Sequence, residues 1–308
     1  MAKRFIAAID LGGTNLKIAL LDLKFRIRHK EVLDTQRFSK KEALISAIVH
    51  SVDKILKDNK LNRANLLGVG LGLPGPIDFE KGIVHFFPNI PGWKEVKLKI
   101  ILQNKLRLPV FVDNDAKAMC LAEYKLGAAR GATNAVCLTL GTGIGGSIII
   151  NGKLYRGLSN AAGEIGHLPI NENGPRCNCG GRACLESYIG NNRVLEEARK
   201  IFSSSITLEE LSSLARKGNP KAKAIWRQFA ERLSVALTGI INILNPDCIV
   251  IGGGVANAGR VLFDNLKKIT LKRAMSVQAR RVNIFKAKLG ADAGLIGAAI
   301  LVKEGIRQ

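Results

Sequence analysis

Aromatic residues are scarce, at 5% of 308. A protein that grips single-stranded nucleic acid by stacking bases needs such rings, and few are here. Cysteine is sparse too, with six in all, too few for a disulfide-stapled secreted scaffold. Cys120, Cys137 and Cys248 sit singly in apolar runs, as buried free thiols do. No apolar run reaches the roughly 20 residues that a membrane helix needs. The start, MAKRFIAAID, is basic and then apolar, but the apolar part is short and ends at Asp10. It lacks a small-residue cleavage site, so no signal peptide is expected. These absences point to the reducing cytoplasm and to no membrane partner. Acidic residues are the last shortage: 25 Asp and Glu stand against 47 Lys and Arg, a net charge of +22. The cations gather in KFRIRHK (24–30), KEVKLKIILQNKLR (94–107) and KKITLKRAMSVQARR (267–281). Attraction to polyanions competes with a generally basic solvated surface. No nucleic-acid motif accompanies the charge, so no specific nucleic acid is expected.

What is present describes a globular chain. Hydrophobic residues make up 47% and charged residues 23%, enough to bury a core, and the length suits two domains. Continuous or alternating apolar runs predict strands at 4–10, 16–23, 66–73, 108–115, 134–140, 146–152, 247–254 and 282–287. Helical spacing predicts helices near 41–57, 116–126, 191–202, 207–216, 220–244 and 292–304, with one more following 254. The segments IAAIDLGGTNLKIALLD and VCLTLGTGIGGSIIING are both strand, glycine turn, strand. That echo suggests a duplicated α/β fold with a cleft between two domains, where small ligands bind.

Three glycine turns each end a strand: Gly12-Gly13-Thr14, Gly141 to Gly146, and Gly252-Gly253-Gly254. Glycine lets backbone N–H groups approach an anion closely, and threonine adds a hydroxyl donor. One such turn is as well explained by a tight hairpin; three together point to nucleotide phosphate. Gly141, Gly143 and Gly146 fit G-x-G-x-x-G, but a strand follows rather than the helix of a dinucleotide fold. No G-x-x-x-x-G-K-[ST] occurs, which excludes a P-loop. Asp10, just before the first turn, is either a strand-end cap or a carboxylate that holds Mg²⁺ through water. Asp115, at the end of VDNDAK, is either a helix N-cap or a general base that takes a proton from a substrate hydroxyl.

The densest chemistry lies in HLPINENGPRCNCGGRACLE (167–186). His167, Cys177, Cys179 and Cys184 make a Cys₃His set that suits tetrahedral Zn²⁺; unmetallated thiols are the alternative. Four protein ligands leave no open position, so the site is structural. Glu164 and Glu186 flank it. Carboxylates held rigidly in this way are suited to sugar hydroxyls.

Taken together, DLGGTN (10–15), LGLPGPID (71–78), PNIPGW (88–93), DNDA (113–116), LGTGIGG (140–146), AAGEIGH (161–167), CNCGGRACLE (177–186) and VIGGGVA (250–256) resemble the ROK family of sugar kinases and repressors, within the actin-like ATPase superfamily. The resemblance spans essentially the whole chain. It implies an α/β fold of two actin-like (ribonuclease H-like) domains with a cleft between them. The expected division is 1–115 with 292–308 as a smaller domain closed by the C-terminal helix, and 116–291 as a larger one carrying the zinc loop. Asp115 is implied as the catalytic base toward a sugar 6-hydroxyl, with Asn89, Asn114, Asp115, Glu164, His167 and Glu186 as sugar ligands. Asp10, Gly12, Gly13, Thr14, Gly141, Thr142 and Gly143 would handle Mg²⁺ and the phosphates of ATP, and Gly252, Gly253 and Gly254 the adenosine.

PNIPGW resembles the glucokinase branch, so the expected reaction is glucose plus ATP to glucose 6-phosphate. N-acetylmannosamine, N-acetylglucosamine, allose and fructose are alternative acceptors, and polyphosphate is an alternative donor given the charge. A sugar-sensing repressor or a non-catalytic sugar-binding module is less expected. Repressors of the family carry an N-terminal winged helix, whereas the first strand here begins near Phe5, and Asp115 and all three glycine turns are retained. The resemblance also implies a homodimer or homotetramer. Two residues depart from the family pattern. Ala183 stands where glycine is usual, and its methyl needs negative φ or mild strain. Lys117 stands where asparagine is common, either as a helix surface residue or as added positive charge near the phosphate path.

Overall fold

A computed structural model describes residues 4–38, 40–87 and 92–306. The elements run β1 (Phe5–Leu11), β2 (Asn15–Asp22), β3 (Ile27–Asp34), α1 (Lys41–Asp58), β4 (Leu66–Leu73), β5 (Ile77–Asp78), β6 (Ile83–Phe86), β7 (Lys94–Val96), α2 (Leu98–Leu106), β8 (Val110–Asn114) and α3 (Asp115–Leu126). They continue with β9 (Ala135–Leu140), β10 (Ile144–Ile150), β11 (Lys153–Tyr155), α4 (Glu186–Ile189), α5 (Asn191–Arg199), α6 (Leu208–Arg216) and α7 (Pro220–Leu244). The last are β12 (Cys248–Gly252), α8 (Arg260–Arg273), α9 (Ser276–Ala279), β13 (Asn283–Lys286) and α10 (Ala293–Gly305).

The chain divides into two compact units: Met1–Ala122 with Arg156–Ala162 and Ala291–Gln308, and Glu123–Tyr155 with Gly163–Gly290. Each is built on a five-stranded mixed sheet. The orders are β3-β2-β1-β4-β8 and β11-β10-β9-β12-β13. In both, an antiparallel hairpin leads into two strands that run parallel to its first strand or to each other. The echo heard in the sequence is therefore one topology used twice.

In the first unit the period-2 rule sorts β1 cleanly. Ile6 and Ala8 face Leu295, Ala298, Ala299 and Val302 of α10. Ala7, Ile9 and Leu11 join Leu44, Ile48 and Val52 of α1 on the other face. Helix α10 lies very close to the sheet because Gly70 of β4 has no side chain; a Cβ there would sit 1.9 Å from the Ala298 carbonyl oxygen. A small antiparallel sheet, β5-β6-β7, completes this unit.

In the second unit, α7 supplies the centre of the core. Trp226, Phe229, Leu233, Leu237, Ile240 and Ile241 recur at helical spacing and pack with Leu138 of β9 and Ile249 and Ile251 of β12. Asn219 caps this helix by accepting from the Ala222 N–H, and Pro220 occupies its first turn. Among the described residues, no helix is long and apolar enough to cross a membrane.

Candidate active site

In the first unit, parallel pairing brings the candidate residues to one sheet edge. Asp10 of β1 registers with Gly72 of β4, and Gly72 with Asp113 of β8. Asp10, Asp113, Asn114 and Asp115 thus gather at the carboxyl ends of parallel strands, where open α/β sheets bind ligands. The turn after Asp10 is held from below: the Gly12 N–H donates to the Asn15 carbonyl at 2.8 Å, and the Thr35 hydroxyl donates to the Gly12 carbonyl at 3.1 Å. Gly13 and Thr14 remain exposed.

Lys17, opposite Asp10 in the β1–β2 hairpin, places Nζ 3.3 Å from the Asp10 carboxylate and 2.7 Å from the Ala291 carbonyl. Burial pushes the Asp10 carboxyl above the ordinary carboxylate range, and Lys17 pulls it back. Sequence reasoning passed over Lys17. The signal was there in a lone cation inside an apolar strand, directly across a tight turn from a carboxylate.

At the β8–α3 junction the capping is performed by Asn114, not Asp115. The Asn114 Oδ1 accepts from the N–H groups of Ala116 and Lys117 at 3.0 and 3.2 Å. Its Nδ2 donates to the Gly75 carbonyl at 3.1 Å, which among the described residues leaves one amide N–H for a ligand. The Asp115 carboxylate accepts from the Ala116 N–H at 2.7 Å. Lys117 is no helix surface residue: it is 3% exposed and donates to the Asn160 carbonyl at 2.9 Å. Asn89 lies outside the described residues.

In the second unit, parallel pairing of β9 with β12 sets the turns at 141–143 and 252–254 side by side. Gly253, at φ +84°, passes so near Leu140 that a Cβ would lie 2.2 Å from its carbonyl oxygen. Gly254 faces open space. Glu186 supports the neighbouring turn, its carboxylate accepting from the Ile144 N–H at 2.7 Å. A cavity of about 220 Å³ opens beside it, lined by Thr142, Asn178, Glu186, Asn192 and Arg193 among others.

The segment carrying Glu164 and His167 crosses β10 at very short range. A Cβ on Gly146 would stand 2.3 Å from the Gly163 carbonyl oxygen, and one on Gly166 would stand 2.2 Å from that of Ile144. Glu164 is exposed and His167 half-buried.

The four residues His167, Cys177, Cys179 and Cys184 converge, with their ligand atoms all within 4.8 Å of one another. The His167 Nδ1 lies 3.7 Å from the Cys177 sulfur, and the Cys179 and Cys184 sulfurs are 3.7 Å apart. A tetrahedral ion with Zn–S bonds of about 2.3 Å sets ligand edges of about 3.8 Å, so the donors fit a zinc ion. None of the cysteines forms a disulfide. Burial raises the Cys177 thiol, but hydrogen bonds from the Cys179 backbone, Ser187, Cys179 and His167 bring it down to about 7. Burial and the neighbouring thiols push Cys184 up to about 12. Ala183 adopts φ +56°, so its methyl is accommodated with strain. The loop holds it there from both sides: its N–H donates to the Pro175 carbonyl, and its carbonyl accepts from the Ile170 N–H, each at 2.9 Å.

Comparison with known proteins identifies the family. The sequence model of the ROK family matches residues 6–305. The chain belongs to the ROK family. This ROK chain is 36% identical to a glucokinase of Thermotoga maritima, over 99% of both sequences. It superposes on a ROK family glucokinase from Streptomyces griseus, crystallised with glucose and AMPPNP, with a TM-score of 0.84. The identity there is 30%, covering 98% of this ROK chain and 100% of that one. A xylose repressor of Caldicellulosiruptor bescii is 29% identical over 96% of this chain and 77% of its own length. The fold is accordingly the two-domain actin-like fold of ROK sugar kinases.

Proposed function

We propose that this chain is an ATP-dependent glucokinase, which transfers the γ-phosphoryl group of ATP to the 6-hydroxyl of glucose. The observation that carries the reading is the likeness to glucokinases along the whole chain, joined to a carboxylate, Asp115, at the carboxyl edge of a parallel sheet. Phosphoryl transfer asks little covalent chemistry of a protein beyond positioning, charge stabilisation and a group that orients the nucleophile. In this reading Asp115 takes the proton of the attacking hydroxyl. Asn89, Asn114, Glu164, His167 and Glu186 bind the sugar hydroxyls.

In the turns 12–14 and 141–143, where the N–H groups of Gly12 and Gly141 are used within the turn, the remaining N–H groups face phosphate, and 252–254 line the adenosine. Asp10, which Lys17 also contacts at 3.3 Å, would hold Mg²⁺, and the ion would supply neutralisation of phosphate charge. His167, Cys177, Cys179 and Cys184 would hold Zn²⁺, and with four protein ligands the ion would supply rigidity rather than reaction chemistry. With Nδ1 turned to the thiols, His167 keeps Nε2 for a sugar hydroxyl, so one ring serves both. The compartment in this reading is the cytoplasm, and the assembly a homodimer or homotetramer.

A coupled assay across glucose, mannose, fructose, allose and the N-acetyl hexosamines, with ATP and polyphosphate as donors, tests the acceptor and donor together. Asp115→Asn is expected to lower kcat by roughly 100-fold or more with an unchanged unfolding midpoint. Activity near that of the wild type would reduce Asp115 to a helix-terminal residue.

A further inference from the structure

Arg156–Ala162 leaves the second unit's stretch of chain and belongs to the first unit. What holds it there is a set of buried polar contacts. The Arg156 Nη1 lies 2.7 Å from the Asp113 Oδ2, with the Asp113 side chain 2% exposed and that of Arg156 20%. The contact is an ion pair between a buried carboxylate and a largely buried guanidinium. The guanidinium also lies over the Phe79 ring, 3.6 Å from its centroid, a cation–π contact. At the loop's far side, Lys117 donates to the Asn160 carbonyl at 2.9 Å. The loop closes on itself through the Ala162 N–H, which donates to the Arg156 carbonyl at 2.9 Å. Two residues in it take left-handed conformations, Gly157 at φ +68° and Asn160 at φ +59°, which turn the chain back on itself.

Both anchors reach the same short stretch of chain. Asp113 and Lys117 flank Asn114 and Asp115, and Ala162 lies two residues before Glu164. Lysine at position 117 is thus given a use that asparagine is too short to fulfil: its stem runs buried along α3 so that Nζ reaches a backbone carbonyl on another segment.

We propose that Arg156 and Lys117 are positioning residues for the transfer, clamping the Arg156–Ala162 loop onto the β8–α3 junction. The loop then braces the stretch that carries Asn114 and Asp115 within the first unit, and the chain reaches Glu164 two residues after Ala162. Its anchors lie immediately beside Asn114 and Asp115, on Asp113 and Lys117, so its effect is read first in the handling of the sugar. This inference rests on the glucokinase reading. Wild-type activity on glucose is therefore measured first, and its absence sinks that reading alone.

The variants are Lys117→Met, which keeps the apolar stem and removes the donor, and Asp113→Asn with Arg156→Gln, which removes both buried charges together. In each, kcat/KM for glucose falls about ten- to a hundredfold, the scale for misplaced groups of about 1 Å. KM for ATP stays within about twofold, and Arg156→Lys, which keeps the charge, recovers part of the loss. Amide hydrogen exchange across 156–164 speeds up in both variants whether or not they turn over. The proposal is overturned by a glucose kcat/KM within about twofold of the wild type, by a parallel rise in KM for ATP, or by unchanged exchange in the loop.

Discussion

Gly166→Ala is a small substitution with a large expected effect. Gly166 sits in the 3₁₀ turn Ile165–His167, and its backbone is open to any residue, since its φ is not among the positive ones. Only space forbids a methyl. The added Cβ would lie 2.2 Å from the Ile144 carbonyl oxygen, 2.9 Å from the Ile144 Cβ and 3.1 Å from its carbonyl carbon. Two of these atoms are backbone inside β10, so no side chain can swing aside. Relief needs a displacement on the order of 1 Å between the turn and the strand, costing about 3 kcal/mol, the upper part of the usual range for overpacking.

That displacement moves His167, the next residue, away from the thiols, and Glu164 with it. It also disturbs the Ile144 N–H that Glu186 binds. We expect an unfolding midpoint lower by on the order of 6 °C, a rise of about tenfold in KM for glucose, and less than one zinc per chain on metal analysis. Calorimetry, the coupled assay and elemental analysis on one preparation measure all three. A variant with the wild-type midpoint, KM and zinc content would refute the close-crossing argument.

Two other predictions concern the metal loop. Cys179→Ser is expected to lose zinc and raise KM for glucose while kcat falls less, as expected if the metal acts by holding His167; a variant that keeps about one zinc per chain contradicts the ligand set. Ala183→Gly is expected to change stability by less than about 1 kcal/mol. Relief of left-handed strain gives about 1–2 kcal/mol. It is offset by about 0.5–1 kcal/mol of glycine chain entropy and about 0.8 kcal/mol for the lost buried methyl. Thermal melts that show a gain well above 1 kcal/mol would mean that the strain is larger than the offsets.

Much of the fold was legible because its strands are long and apolar. The hairpin β1–β2 and its counterpart β9–β10 announce themselves by glycine turns between two apolar runs, and α7 by its helical stripe. What stayed hidden was masked by charge. Strand β3 alternates strictly in burial, but the sequence IRHKEVLD puts cations and carboxylates on the pattern, so it reads as a basic cluster. Helix α2 buries Leu98, Leu102 and Leu106 in one row within a lysine-rich segment that also reads as charge alone.

At the site, the sequence supplied the residue types and the Cys₃His spacing, which the structure gathers within bonding range of one ion. It could not supply Arg156. An arginine 43 positions from Asp113 in sequence has no local pattern to mark it, and only the tertiary path of the loop brings the two together. Asn114 as the cap shows a related blindness, since three consecutive capping-competent residues, Asp113, Asn114 and Asp115, differ only in where the strand stops.

The tight seat of α10 against Gly70 has a consequence for synthesis. Ile6, Ala8, Ala19 and Leu21 emerge from the ribosome long before the residues that cover them, Leu295, Ala298, Ala299 and Val302. Between Ala122 and Ala291, translation at roughly 5–20 residues per second takes on the order of 10–30 s. For that interval the first sheet waits with one apolar face open to solvent. The unit begun first is therefore finished second, and the nascent chain has its greatest need of a chaperone while its most N-terminal strands lack their last helix.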